Sequence, residues 1–189
     1  MTIQHESSRR KFLVSASGAA AAGLLAVGNS GCADASTIDR QLSFTSLDNA
    51  LQEADRLTKA IVLKRGTVWT WPQTLIHCAQ SIEYSMTGFP QPKSPFFQHT
   101  IGKAAFGAFS WRGRMTHDLT EQIPGAPSID ATSDTALAMV RVQRAVQDFR
   151  GGKQALRPHF AYGELTRSEY EHAHAMHLAI HFSAFDVQA

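Results

Sequence analysis

Nine histidines occur in the 189 residues, and four of them fall between positions 172 and 181. Set on a helix at about 100° per residue, His174, His177 and His181 lie within about 60° of one another. The same stripe carries Tyr170, Leu178 and Phe185, while His172 points to the opposite side. His177 and His181 are four residues apart, the spacing that sets two imidazoles side by side on a helix and recurs in helical metal sites. A neutral imidazole offers one nitrogen to a metal ion as a ligand, so this stripe suits metal binding. The competing reading is packing, in which the rings are satisfied by hydrogen bonds inside the core. Each polar group left unpaired there costs about 1 to 3 kcal/mol, and a metal ion removes that cost as well as a hydrogen bond does. Spacing leaves both readings open, and two ligands from one helix need a third from elsewhere.

Away from that stripe the candidate is His77. By helical angle its neighbours are Gln73, Thr74, Gln80, Ser81 and Tyr84, whereas Leu75, Cys78, Ala79, Ile82 and Met86 share the opposite face. Periodicity therefore puts His77 either in solvent or on a polar face lining an internal cavity. Cys78 reads as a small core residue, with no partner cysteine and no basic neighbour to make a reactive thiolate. No carboxylate is placed as a general base: Glu83 turns away from His77, and Glu164 merely precedes the last helix.

The elements that must hold these residues are helical. Ser46 caps a helix over residues 46–60, and Thr70-Trp71-Pro72 opens a second that runs to Met86 before Gly88 and Pro90. Three prolines make residues 89–95 a linker. Residues 96–115 are apolar enough for a helix, with Gly102, Gly107 and Gly113 against it. A long loop over 116–132 leads to a helix over 136–150, ended by Gly151-Gly152. Thr166-Arg167-Ser168-Glu169 is a capping box that opens a last helix to about residue 185. No run alternates with period two. The expected fold class is all-α, and four main helices packed antiparallel are the simplest way to bury one apolar stripe on each.

The first 35 residues read as an address. Arg9-Arg10-Lys11-Phe12-Leu13 precedes an Ala/Gly/Leu stretch and then Ala33-Asp34-Ala35, the three-part layout of an export signal. The apolar run is about 13 residues, short of the roughly 20 that span a bilayer. The paired arginines resemble a twin-arginine signal, which makes the twin-arginine translocase the expected export partner and the periplasm the destination. Cleavage after Ala35 is the adopted reading. Lipidation at Cys32 is the alternative, although Asn29 stands where a lipoprotein box has an aliphatic residue. The remaining domain, 36–189, carries 15 basic against 14 acidic side chains. With 43% hydrophobic and 18% charged residues in the whole chain it is an ordinary globular composition, without the basic clustering that nucleic-acid binding needs.

Several strings together carry a resemblance: Trp69 through Glu83, Gly88-Phe89, His159-Phe160-Ala161-Tyr162-Gly163-Glu164-Leu165-Thr166, and His174 through His181. Over most of residues 42–186 the chain resembles an uncharacterised branch of the DinB-like superfamily. That resemblance implies an antiparallel four-helix bundle with a divalent metal held by His77, His177 and His181. It also makes His174, His159 and Tyr84 candidates for supporting or substrate-contacting roles. One departure is visible: relatives carry adjacent histidines where this chain has Ile180 and His181. Members of the wider superfamily include metal-dependent thiol transferases and isomerases. The expected activity is accordingly a metal-dependent transferase or hydrolase acting on an unidentified small molecule. A non-catalytic metal-binding or partner-binding bundle is the alternative from a different class. Zinc, nickel, copper and iron all suit imidazole donors.

Overall fold

The computed structural model describes residues 38–60 and 63–188; Arg9, Arg10, Cys32 and the cleavage position after Ala35 lie outside them. In chain order the elements are α1 (Leu47–Thr58), β1 (Leu63–Arg65), α2 (Trp71–Thr87), α3 (Pro95–Phe97), a π-helical turn (Gln98–Gly102), α4 (Lys103–Arg112), α5 (Thr135–Gly151), α6 (Arg167–Ser183) and β2 (Phe185–Val187). The chain is mostly helical, and no described helix is long and apolar enough to cross a membrane.

Each long helix starts where its sequence provides a cap. The Ser46 hydroxyl accepts from the Asn49 amide, and the Asp134 carboxylate accepts from the Leu137 amide. Thr70 with Gln73, and Thr166 with Glu169, form reciprocal capping boxes that satisfy two otherwise unpaired donors each. Such caps contribute about 1 kcal/mol apiece and fix where the first turn begins, which in α2 and α6 sets the rotation of every later side chain.

The four long helices α1, α2, α5 and α6 share one apolar core, with α2 lying along α5 and with α6 against both α1 and α2. Leu47, Leu57, Leu75, Ile82, Val142, Phe149, Leu178 and Phe182 fill it, each worth roughly 1.5 to 3 kcal/mol on burial. Trp71 meets Phe182 and Phe185 edge to face and donates its indole N–H to the Thr58 hydroxyl, tying the start of α2 to the end of α1.

Two features differ from the expectation. The last helix stops at Ser183 rather than near 185, and Phe185–Val187 pairs antiparallel with Leu63–Arg65, Arg65 opposite Phe185. Three-residue strands are too short to show alternation, so nothing in the sequence marked them. The stretch 96–115 is helical as far as Arg112 but not regular α-helix throughout. Its first turns include the π-helical turn, a wider winding that inserts a residue into the helical register. There Gly102 presses against the turn at 159–163: a Cβ on it would fall on the Ala161 carbonyl oxygen. The Gln98 amide donates to the Phe160 carbonyl, and the Lys93 amide donates to the same oxygen. The irregular helix thereby holds the loop that carries His159.

Two glycines on this stretch separate the effects. Gly102→Ala is expected to lower the urea midpoint by the equivalent of about 2 kcal/mol through overpacking against the 159–163 turn. Gly107→Ala, with no atom within 4 Å of the added carbon, is expected to be neutral or to stabilise by up to about 1 kcal/mol. Equal midpoints for the two variants would show that the close approach at Gly102 is not a real constraint.

Candidate metal centre

His77 comes from the middle of α2, and His177 and His181 from successive turns of α6. The polar face of α2 is not solvated. Thr74, His77, Gln80, Ser81 and Ser85 are all buried, so of the two placements open for His77 the internal one is observed. The helix is covered on both sides, its apolar face by the core and its polar face by α6 and a cavity.

The three imidazoles converge. One nitrogen from each lies within 4.8 Å of the other two. Ring centroids are 5.0 Å apart for His77 and His177, 4.6 Å for His77 and His181, and 4.7 Å for His177 and His181. The Nε2 atoms of His77 and His177 face each other at 3.2 Å. Nitrogens bound to one tetrahedral ion at about 2.0 to 2.1 Å stand roughly 3.3 Å from each other, so this pair already has the spacing of two ligands.

Hydrogen bonding does not account for the trio. One proton can serve the His77–His177 pair, but the Nδ1 atoms of both residues and the Nε2 of His181 are buried with no partner among the described residues. Among the described residues no carboxylate lies in the group formed by the three rings. Burial holds the His77 ring neutral, its pKa pulled down to about 3, with a smaller push from the neighbouring His117 charge. His177 and His181 are held well below the ordinary histidine value, first by burial and then by the other imidazoles. Neutral rings with bare nitrogens are what a metal ion requires. Three neutral imidazoles with one nitrogen each converging, one pair already at ligand spacing, fit a single divalent ion.

Trp69, immediately before the cap of α2, closes one side of this group. Its ring stacks on His181 at 6.1 Å and meets His77 edge-on at 4.9 Å. The other side opens into a cavity of about 280 Å³, lined in part by His77, His177, His174, His159, His117 and Tyr162.

The supporting candidates divide. His174 lies one turn before His177, enclosed by Phe149 and Tyr170, with its Nε2 unpartnered and its pKa pulled down by burial to about 3. His159 stacks flat on Tyr162 at 4.2 Å, and its Nδ1 accepts the amides of Ala161 and Tyr162, which puts its proton on Nε2. Burial, followed by the His174 charge, brings its pKa to about 3. Tyr84 packs on Phe89 and does not line the cavity. Glu83 pairs with Arg141 through both carboxylate oxygens, away from the site, and Glu164 is not among the lining residues. Ile180 packs with Phe106, Met115, Ala173 and Met176 as a small apolar cluster under α4.

Three participants were not marked by the sequence. His117 and Glu121 reach the cavity from the irregular loop before α5, where no periodicity orders side chains. Trp69 stood only inside the string that carried the resemblance, and its position directly before a capping box was the available signal.

Five buried neutral histidines make the metal-free protein acid-sensitive. Below about pH 6.5 the unfolded chain binds protons that the folded one refuses, so stability falls as pH drops and levels off near the folded pKa. A single ring with a folded pKa of about 3 contributes roughly 2 kcal/mol of loss between pH 7 and pH 5. His174→Phe, placed between Phe149 and Tyr170, is expected to remove about that share of the change in chelator-treated protein, measured by urea unfolding at the two pH values. An unaltered pH response would contradict the assignment of His174 as a buried neutral ring.

Comparison of the chain with curated proteins and with solved structures gives no match. Residues 36–188, however, match the family described as "Protein of unknown function (DUF1569)", which spans every element and every histidine of the site. The chain belongs to that family.

Proposed function

We propose that this chain is an exported, metal-dependent enzyme acting on a small molecule, with one divalent ion held by His77, His177 and His181 in a DinB-like antiparallel bundle of α1, α2, α5 and α6. The observation that carries the proposal is the convergence of three buried, neutral imidazoles, two of them with Nε2 atoms 3.2 Å apart. Three protein ligands leave a position for water or substrate, the arrangement of catalytic rather than closed structural sites. A divalent ion there supplies Lewis acidity, lowering the pKa of a bound water or holding a thiolate.

The chain's own groups fit such a role. The cavity leads from the surface to His77 and His177, so a small molecule can approach the open side. His159 keeps a proton on Nε2 because its Nδ1 accepts two amides, which equips it to donate a hydrogen bond to a molecule in the cavity. Glu121 and Lys93 stand among the lining residues as the charged groups nearest to a proton-accepting and an anion-binding role. Trp69 and the aromatic side of α6 exclude water from the other flank, which strengthens electrostatic interactions within. Zinc, nickel and iron are the candidate ions.

Export is supported by the order Arg9-Arg10, apolar stretch, Ala33-Asp34-Ala35, and by a family domain that begins at residue 36. A twin-arginine substrate crosses folded and can carry its ion along.

In a thermal-shift experiment on chelator-treated protein, zinc at about 100 times its Kd is expected to raise the melting temperature by roughly 5 to 10 °C, the effect of about 2.7 kcal/mol of linkage. His181→Ala is expected to abolish that shift while His99→Ala, an exposed residue on the π-helical turn, retains it. Equal shifts in all three proteins would refute the site. A reporter fused to residues 1–35 is expected to stop being exported when Arg9 and Arg10 are both changed to Lys; undiminished export would rule out the twin-arginine route.

A further inference from the structure

We propose that His117 is a displaceable fourth ligand, delivered by the loop between α4 and α5 to the ion held by His77, His177 and His181; the inference rests on that three-imidazole reading and adds a residue to it. The tautomer is already set. A backbone carbonyl only accepts, so the 2.8 Å contact between His117 Nδ1 and the Asp118 carbonyl puts a proton on Nδ1, and in the neutral ring, the form that binds a metal, Nε2 is the free lone pair. Ligating histidines are commonly pinned in this way, with the far nitrogen donating to a carbonyl. That Nε2 is buried and has no partner among the described residues, although the residue as a whole is only half-buried. The ring stands 5.0 Å from His181 and 5.4 Å from His177, close to the 4.6 to 5.0 Å spacings within the trio.

Its support is a loop rather than a helix. Gly113, in left-handed conformation, ends α4 and starts the loop, and the Asp118 carboxylate accepts from both the amide and the hydroxyl of Thr120, forming a turn just after the histidine. The His117 nitrogen is not one of the three that lie within 4.8 Å of each other, so a modest inward shift of this loop completes the set. A fourth imidazole closes a tetrahedral site, and its withdrawal opens one. Because His117 also lines the cavity, a molecule arriving there meets the residue that must give way. The loop residue would thus keep water off the ion at rest and yield its place to substrate.

Zinc-edge X-ray absorption on the zinc-loaded chain counts imidazole ligands directly. Four are expected in the unaltered protein and three plus one oxygen in His117→Ala, with zinc affinity lower by at least about tenfold in the variant. Adding free imidazole to His117→Ala is expected to restore the four-nitrogen spectrum, a rescue that a merely structural role for His117 would not produce. His117→Gln, measured beside it with circular dichroism on both, separates ligand loss from misfolding. Three imidazoles in both proteins with equal affinity would overturn the role of His117 and leave the trio standing. Failure of the unaltered protein to bind zinc, nickel or iron at all would overturn the trio and the inference together.

Discussion

Three neutral imidazoles meet in a space where no described residue satisfies all of them. A hydrogen bond between two rings uses one nitrogen of each and leaves their outer nitrogens and the third ring without partners. An unpaired buried polar group costs about 1 to 3 kcal/mol, and a whole cluster of them is a large fraction of a domain's net stability. Most of what surrounds the cluster either excludes the water that would otherwise solvate it or fixes the rings in this strained company. A cation bound by all three would turn that liability into a site.

The helices supply the fixing. The capping boxes at Thr70 and Thr166 define the start of α2 and α6, and therefore the directions in which His77, His177 and His181 leave their backbones. Trp71 locks the first turn of α2 against α1 and β2 through Thr58 and Phe185, while the preceding Trp69 covers His77 and His181. The strand clip between Leu63–Arg65 and Phe185–Val187 joins the segment before α2 to the segment after α6, so the two helices that carry the histidine trio are coupled at the same end. On the open side the π-helical turn and Gly102 set the loop bearing His159, and the chain before α5 brings His117. Helices carry the trio and irregular backbone carries His159 and His117 at the cavity wall, a division common to sites that must hold an ion and admit a ligand.

Much of this was legible in the residues. Helical periodicity and caps located the four long helices to within a few positions, because each is amphipathic over several turns and begins at Ser46, Thr70, Asp134 or Thr166. The i, i+4 pair on α6 was visible for the same reason. His77 was only half legible: its polar neighbours look identical whether they face solvent or a cavity, and the resemblance rather than the pattern favoured the inside. His117 left no trace, since a loop has no repeat from which a direction can be read. The strands at 63–65 and 185–187 were missed because three residues are shorter than any recognisable period. Ile180 stands in the histidine stripe's helix but packs in an apolar cluster with Phe106 and Met115.

The element content of the protein as the cell makes it tests the metal centre most directly. Purified without affinity metals or chelators and measured by element-resolved mass spectrometry, the protein should carry close to one divalent transition-metal ion per molecule. The double variant His177→Ala/His181→Ala, folded by circular dichroism, should carry almost none. A wild-type chain purified free of metal, or a double variant that retains the same ion, would contradict the claim that His77, His177 and His181 form a metal centre.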